Sequence, residues 1–303
     1  MIDYPRPHGD KLAALMANAK LPGSDAQRIR EALERYEQWR YELIHLEDGL
    51  SECLPKAVNL LNAYKYFMDK ELIFDSPNDF LYRQKGQLKL DNTVIEEFLP
   101  IFIPKILQSD LEGTSLQFGS YSCFAGVYFT STLPHIEKGG GLKIRQKNQD
   151  FVVSRPLFVR ASHHKDFADA ITTQTNLAYM AAECKTNLDK TMFQEAAATA
   201  LDLKASVPSA KYFLLCEWLD MTPISSSLTA IDEIIVLRKA KRISSDVRRL
   251  FSTAAGRESN RNYFERYLRS NPFREDTLAR FANHINRLIR DTPEDEVLKR
   301  GHF

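Results

Sequence analysis

This sequence gives disulfides, thiolate metal clusters and membrane spans nothing to build on. Its four cysteines, Cys53, Cys123, Cys184 and Cys216, are scattered with no Cys-x-x-Cys pair, so neither a disulfide-stapled miniprotein nor a structural zinc site is expected. No apolar run approaches the roughly 18 to 20 residues that cross a bilayer, and no membrane contact is expected. The segment around Asp3, Pro5, Arg6 and Pro7 lacks the hydrophobic stretch of a secretory signal, which makes a reducing cytoplasm the expected compartment. An excess of charge of one sign is missing too. The 41 Lys and Arg residues against 40 Asp and Glu leave +1, so a polyanionic partner must be met by local segregation of charge. Gly139-Gly140-Gly141 is not followed by the Gly-Lys-Ser/Thr of a phosphate-binding loop, so it reads as a flexible turn that could meet DNA. No Gly-x-Ser-x-Gly elbow marks a serine hydrolase.

What is present is the material of an ordinary globular chain: 303 residues, 44% hydrophobic and 27% charged, enough to bury a large core. The first third reads as helices. Ile29, Leu33, Tyr36, Leu43 and Leu46 form a stripe behind a candidate N-cap at Ser24. The outer face of that helix is acidic and unsuited to a phosphate backbone. Leu54, Val58, Leu61 and Met68 predict a second helix folded back on the first, and a third spans about Asn92 to Leu107, strained by Pro100 and Pro104. The middle changes to β-branched and aromatic runs. Gln149 to Val153 continuing through Leu157 to Arg160, Leu177 to Lys185, Tyr212 to Trp218, and Glu233 to Leu237 read as strands. Between them Asp189 to Lys204 reads as a helix with Asp189 as N-cap. The aromatic cluster Phe118, Tyr121, Phe124, Tyr128 and Phe129 reads as core rather than as a base-stacking platform. Arg274 to Arg290 is helical again, with Leu278, Phe281, Ala282, Ile285 and Leu288 in one stripe. The expected fold is α/β (α+β): a helical region over 1–112, a sheet-based core over 113–250 and a helical layer over 251–303.

The sharpest chemical feature is Glu183-Cys184-Lys185. Alternate side chains of a strand share a face, so Glu183 and Lys185 point together while Cys184 turns to the other side. An acid and an ammonium at the end of a buried strand are costly unless exposed, paired or bound to a metal and substrate. Two acids from adjacent strands can hold a hard cation between them, with Lys185 orienting or deprotonating an attacking water. Asp150 opens the neighbouring strand and is the preferred first acid, with Asp166 and Asp169 as rivals. Asp202-Leu203-Lys204 has the same Asp-x-Lys form but falls on a helix, where the two side chains would not face each other. A surface ion pair on an edge strand is the plain alternative for Glu183 and Lys185.

Lys147-Asn148-Gln149-Asp150-Phe151-Val152-Val153, Val159-Arg160-Ala161-Ser162 and Ala181 to Ala196 together resemble the catalytic block of the PD-(D/E)XK nucleases. More narrowly they resemble the BbvCI and Bpu-type restriction endonucleases, type II enzymes of two different subunits that each cut one DNA strand. The resemblance implies a central mixed sheet, Mg²⁺ as cofactor, Asp150 and Glu183 as metal ligands and Lys185 as catalytic lysine. Gln194 and Glu195 would stand near the metal. It departs from the signature in one place, since Gln149 and not proline precedes Asp150.

Charge segregation agrees with a DNA partner. Lys138 to Lys165 holds seven cations and one acid, Asp150, and Leu237 to Arg249 holds six cations and one acid, Asp246. Lys143, Arg145, Lys147, Arg160 and Lys190 are the expected contacts to double-stranded DNA. The second tract reads equally as a solvated face, and His163-His164 as an ordinary loop. A double-strand break needs a second site, so a second nuclease subunit or a second copy is the expected partner. A repair or junction-resolving nuclease, and a catalytically idle DNA-binding subunit, are the alternatives that the residues leave open.

Overall fold

The computed structural model describes residues 4–47, 50–107, 111, 114–290, 298–299 and 301. Five helices come first: α1 (Pro7–Met16), α2 (Gly23–Ile44), α3 (Leu50–Tyr66), α4 (Asp79–Gln84) and α5 (Thr93–Ile106). A π-helical stretch, Phe67–Phe74, continues α3. The sheet follows as β1 (Gln117–Phe129), β2 (Leu142–Ala161) and β3 (Ile171–Leu188), then helix α6 (Lys190–Ser206), β4 (Lys211–Leu219) and β5 (Glu233–Lys241). Short helices α7 (Ser245–Leu250), α8 (Ala254–Ser259) and α9 (Arg261–Ser270) lead to α10 (Glu275–Ile289).

The sheet order is β1-β2-β3-β4-β5. The first two pairings are antiparallel and the last two parallel, so this is the mixed sheet expected, with α6 as the crossover that a parallel pair requires. Asp189 caps α6 as expected, accepting from the Met192 amide at 2.9 Å. Ser24 does not cap α2, which starts one residue earlier behind Pro22. Its hydroxyl is occupied by the Asn78 amide, and Asp25 turns inward to Ser76.

The two faces of the sheet bury different partners. On one, Phe151, Val153, Met180, Cys184 and Phe213 join α1, α2, α3, α5 and α10 in a single core. On the other, Val152, Ala181, Tyr212 and Leu214 pack on Phe193, Ala196, Ala200 and Leu203 of α6. Helix α5 survives Pro100 and Pro104 because nearly every side chain along it is buried. At ~1.5 to 3 kcal/mol for each large apolar side chain buried, packing outweighs the hydrogen bonds that the prolines remove.

Strand β2 is bent back on itself. Straight, its 20 residues would span about 65 Å, yet a Cβ at Gly139, just before it, would lie 2.7 Å from the carbonyl of Ala161 at its far end. The ladder shifts register between Val153 and Ser154, and this bulge marks the fold point. The two resulting ribbons lie side by side, tied by Asn176 to the Ser122 carbonyl at 3.0 Å. The glycine triplet is therefore not an exposed DNA-facing turn. Gly139, Gly140 and Gly141 are buried, all three with positive φ (57°, 69° and 65°), a conformation that glycine alone adopts without penalty. Phe118, Tyr121 and Phe124 are part-buried, but Tyr128 and Phe129 are 52% and 58% exposed. The aromatic run is core only at its first end, because β1 leaves the helical layer as it extends into the ribbon.

Candidate active site

Asp150 stands just before the fold point of β2, and its Oδ2 accepts the backbone N–H of Cys184 at 2.9 Å. That bond locks the carboxylate beside the C-terminal part of β3, where Glu183 and Lys185 share one face and Lys185 Nζ lies 2.6 Å from Glu183 Oε1. The other oxygen of Glu183 accepts the Tyr212 hydroxyl at 2.9 Å from β4. Cys184 points away and is buried against the helical core. Asp150, Glu183 and Lys185 therefore meet at one place, carried by two adjacent strands and buttressed by a third.

Asp166 and Asp169 do not belong to it. They lie in the turn beyond Ala161–Ile171, ten ladder positions from Phe151–Ala182, which is about 33 Å of strand. Ser162 holds Asp169 there. Asp202 sits on α6, faces Lys147 at 3.4 Å and Arg145 at 3.9 Å, and makes no pair with Lys204, which binds Asp232 instead. Gln194 and Glu195 are exposed on α6, and the charge of Glu195 reaches Lys185.

Burial governs the electrostatics. It raises Asp150 above the ordinary carboxylate range, the Cys184 amide opposes the rise, and Glu183 adds to it. Burial works against the Lys185 ammonium, but the ion pair with Glu183 and the field of Asp150 prevail and raise it. Lys185 is thus a firm cation at neutral pH. Tyr212 is raised by burial and by Glu183, so it stays a hydrogen-bond donor.

The sequence reading did not reach Glu96, from α5. It is buried, accepts the Asn92 amide at 2.5 Å, and is pushed up to about 7 by burial and then by the charge of Asp150. No local pattern marks it, since it is one of two adjacent acids on an otherwise apolar helix. Glu96 holds its proton more tightly folded than unfolded, so its contribution to stability is complete below about pH 4.5 and is lost as pH rises through about 7. Metal-free Glu96→Gln is therefore expected to be more stable than the parent at pH 8, by up to about 3 kcal/mol, and to match it at pH 4. Equal pH dependence of the two thermal midpoints would show that Glu96 is not the titrating group.

The site opens into a cleft of about 510 Å³ that Asp150, Lys185, Thr186 and Asn187 line on one side. The chain matches the family model described as Bpu10I restriction endonuclease over residues 87–303. The chain belongs to the Bpu10I restriction endonuclease family. It is a type II site-specific endonuclease subunit that acts on DNA, in a family whose chemistry uses a divalent metal. Among solved structures it is similar to one titled native BbvCI A2B2 tetramer at low resolution, at 17% identity and a TM-score of 0.41, covering 88% of this chain and 98% of that one. No curated protein matches it. Among the described residues no helix is long and apolar enough to cross a membrane.

The residues present fit a divalent metal as a restriction nuclease would use it. Among the described residues no three His, Cys, Asp or Glu side chains could by themselves hold an ion. A hard cation such as Mg²⁺, however, takes one or two carboxylates and completes its shell with water and substrate phosphate oxygens. Asp150 and Glu183 would supply those carboxylates. With Glu96 they bring three acids into a partly desolvated corner where Lys185 and Lys89 are the opposing cations, an acidic surplus that a divalent ion would offset.

Proposed function

We propose that this subunit hydrolyses one DNA phosphodiester per turnover with Mg²⁺ held by Asp150 and Glu183, in the manner of a PD-(D/E)XK site. The observation that carries this reading is the meeting of Asp150, Glu183 and Lys185 on adjacent strands, fixed by the Cys184 amide and the Tyr212 hydroxyl. When bound, the metal would polarise the scissile phosphate and acidify water.

The chain's own residues divide the remaining work. Lys185, protonated and anchored on Glu183, cannot accept a proton, so it orients the attacking water and offsets the negative charge that grows on the phosphoryl oxygens. Tyr212 holds Glu183 in one rotamer. Of the expected DNA contacts, Lys143 and Lys190 are exposed and have no carboxylate partner among the described residues. Arg145 and Lys147 share Asp202, and Arg160 rests on the Phe167 ring. We assign all five to phosphates outside the catalytic corner.

The test is metal dependence. Purified enzyme with its partner is expected to cleave plasmid DNA in Mg²⁺ and to be inert in EDTA, and Asp150→Ala to abolish cleavage while binding duplex DNA in Ca²⁺ nearly as well as the parent. Full activity in EDTA, or normal cutting by Asp150→Ala, overturns the assignment.

A further inference from the structure

The basic residues that line the cleft beside the catalytic corner do not come from the Lys138 to Lys165 tract. Four cations distant in sequence converge on the cleft beside Asp150 and Lys185: Lys85 and Lys89 from the segment between α4 and α5, and Arg242 and Arg248 from the end of β5 and from α7. Neither lysine has an ion-pair partner among the described residues. Lys85 lies over the Tyr82 ring, its Nζ 4.8 Å from the centroid. Arg242 and Arg248 share one carboxylate, Asp220, at 2.8 and 3.4 Å. Arg248 Nε is buried with no hydrogen-bond partner among the described residues.

Acids at the cleft do not cancel this charge. Asp69 is turned inward to Lys65 at 3.2 Å and Arg238 at 3.6 Å, and Asp91 is buried with its charge directed at Lys65. The lysine turn is also fixed by the backbone. Leu88 N–H donates to Gln84 and Leu90 N–H to Lys85, at 2.8 and 3.2 Å, and Lys89 takes a left-handed φ of 52°. Such a conformation costs a side-chain-bearing residue energy and is concentrated at ligand-binding sites.

We propose that this cleft binds the sugar–phosphate backbone of the strand being cut, next to the scissile phosphate, with Lys85, Lys89, Arg242 and Arg248 as its phosphate ligands. The proposal rests on the endonuclease reading and names where its substrate strand lies. A volume of about 510 Å³ accommodates roughly one or two nucleotides and not a duplex, so the occupant is a short stretch of one strand. Trp218 and Tyr267, stacked at 4.7 Å between centroids, line the same cleft and supply an apolar surface for a deoxyribose.

The experiment uses the assembled enzyme in Ca²⁺ with duplexes carrying a cleavage site located first by plasmid digestion. One methylphosphonate, which removes a single backbone charge, is placed at each phosphate near the cut in turn. The parent is expected to lose about tenfold in affinity at one or two positions within two nucleotides of the cut. Lys85→Gln/Lys89→Gln should bind the unmodified duplex about tenfold or more weakly, with a salt slope shallower by about 2, and should lose its sensitivity at those positions. Lys143→Gln/Lys147→Gln should retain that sensitivity. Arg248→Lys, which keeps the charge, should bind within a few-fold of the parent. If the lysine double variant keeps the parent's salt slope, or its losses simply add to those of the methylphosphonates, the cleft is not the strand's path. A parent that cuts no DNA at all would instead remove the underlying endonuclease reading, and binding of inorganic phosphate without any methylphosphonate effect would reduce the cleft to a free-anion site.

Discussion

Glu183→Gln or Lys185→Ala, assembled with a normal partner, is expected to convert supercoiled plasmid into open circles that accumulate long before linear product forms. On the proposed mechanism one Glu183–Lys185 site would hydrolyse one phosphodiester at a time, so the second strand would be cut elsewhere, most simply in a partner across an approximate two-fold axis. Disabling this chain's site leaves the partner's chemistry intact. The nick should fall in one defined strand, always the same one, if the partner is a different subunit. In a dimer of identical chains, mixed mutant and parent subunits should nick either strand without preference. Glutamine keeps an acceptor for Tyr212 and so spares the fold while removing the charge a metal needs. Loss of the Lys185 cation should slow the disabled strand's cleavage by about 10² to 10³-fold, the usual cost of removing one stabilising donor from a reacting oxyanion. Linear product at the parent rate from Glu183→Gln would exclude that residue from catalysis.

Lys65→Met is expected to cost 3 to 5 kcal/mol of stability, roughly half of a typical domain's total. Lys65 is fully buried in α3, 2.8 Å from Glu217 of β4 and 3.2 Å from Asp69, while Arg238 of β5 closes the set at 3.1 Å from Glu217. The ion pairs join two cations to two acids, and the charge of Asp91 also acts on Lys65. Burial raises Glu217 and the two cations hold it down. Methionine fills the same space but leaves two acids facing one guanidinium without water. The measurement is the urea midpoint of the purified protein. Lys65→Met/Glu217→Met should recover most of the loss, since a buried pair replaced by apolar groups is often nearly neutral. A single-variant loss below about 1 kcal/mol would mean that the network is not sealed from solvent.

Elements whose apolar residues recur at one period were readable from the chain. Leu278, Phe281, Ala282 and Ile285 predict α10, and Asp189 predicts the start of α6 because the cap is a local interaction between a side chain and an amide three residues away. Strands were found but read too short: β2 and β3 extend to 20 and 18 residues because polar ribbons, Lys143 to Asn148 among them, are held by their neighbours and carry no apolar signal of their own. Strand β1 escaped definition for a related reason, its pairing being interrupted by register shifts at Gly119 and Gly126.

Within the site, the sequence by itself determined the local facts: that Glu183 and Lys185 share a face, and that Cys184 turns from them, because strand alternation depends on nothing but the backbone. It pointed to Asp150 only as one of three acids. Tertiary structure brings only that one beside Glu183 and Lys185, since the register of β2 on β3 sets Asp150 Oδ2 against the Cys184 amide and leaves Asp166 and Asp169 about 30 Å away along the ladder. It also decided the fate of the basic tract at Leu237 to Arg249, which one strand and one turn split apart. Arg238 is buried on Glu217, Lys239 pairs with Asp276, Arg249 pairs with Asp246, and Arg242 and Arg248 turn to the cleft. Glu96, Lys85, Lys89 and Tyr212 come from segments that share no motif with the catalytic strands. Only the packing of α5, the α4–α5 turn and β4 around those strands brings them in, because burial and charge proximity are properties of neighbours in space.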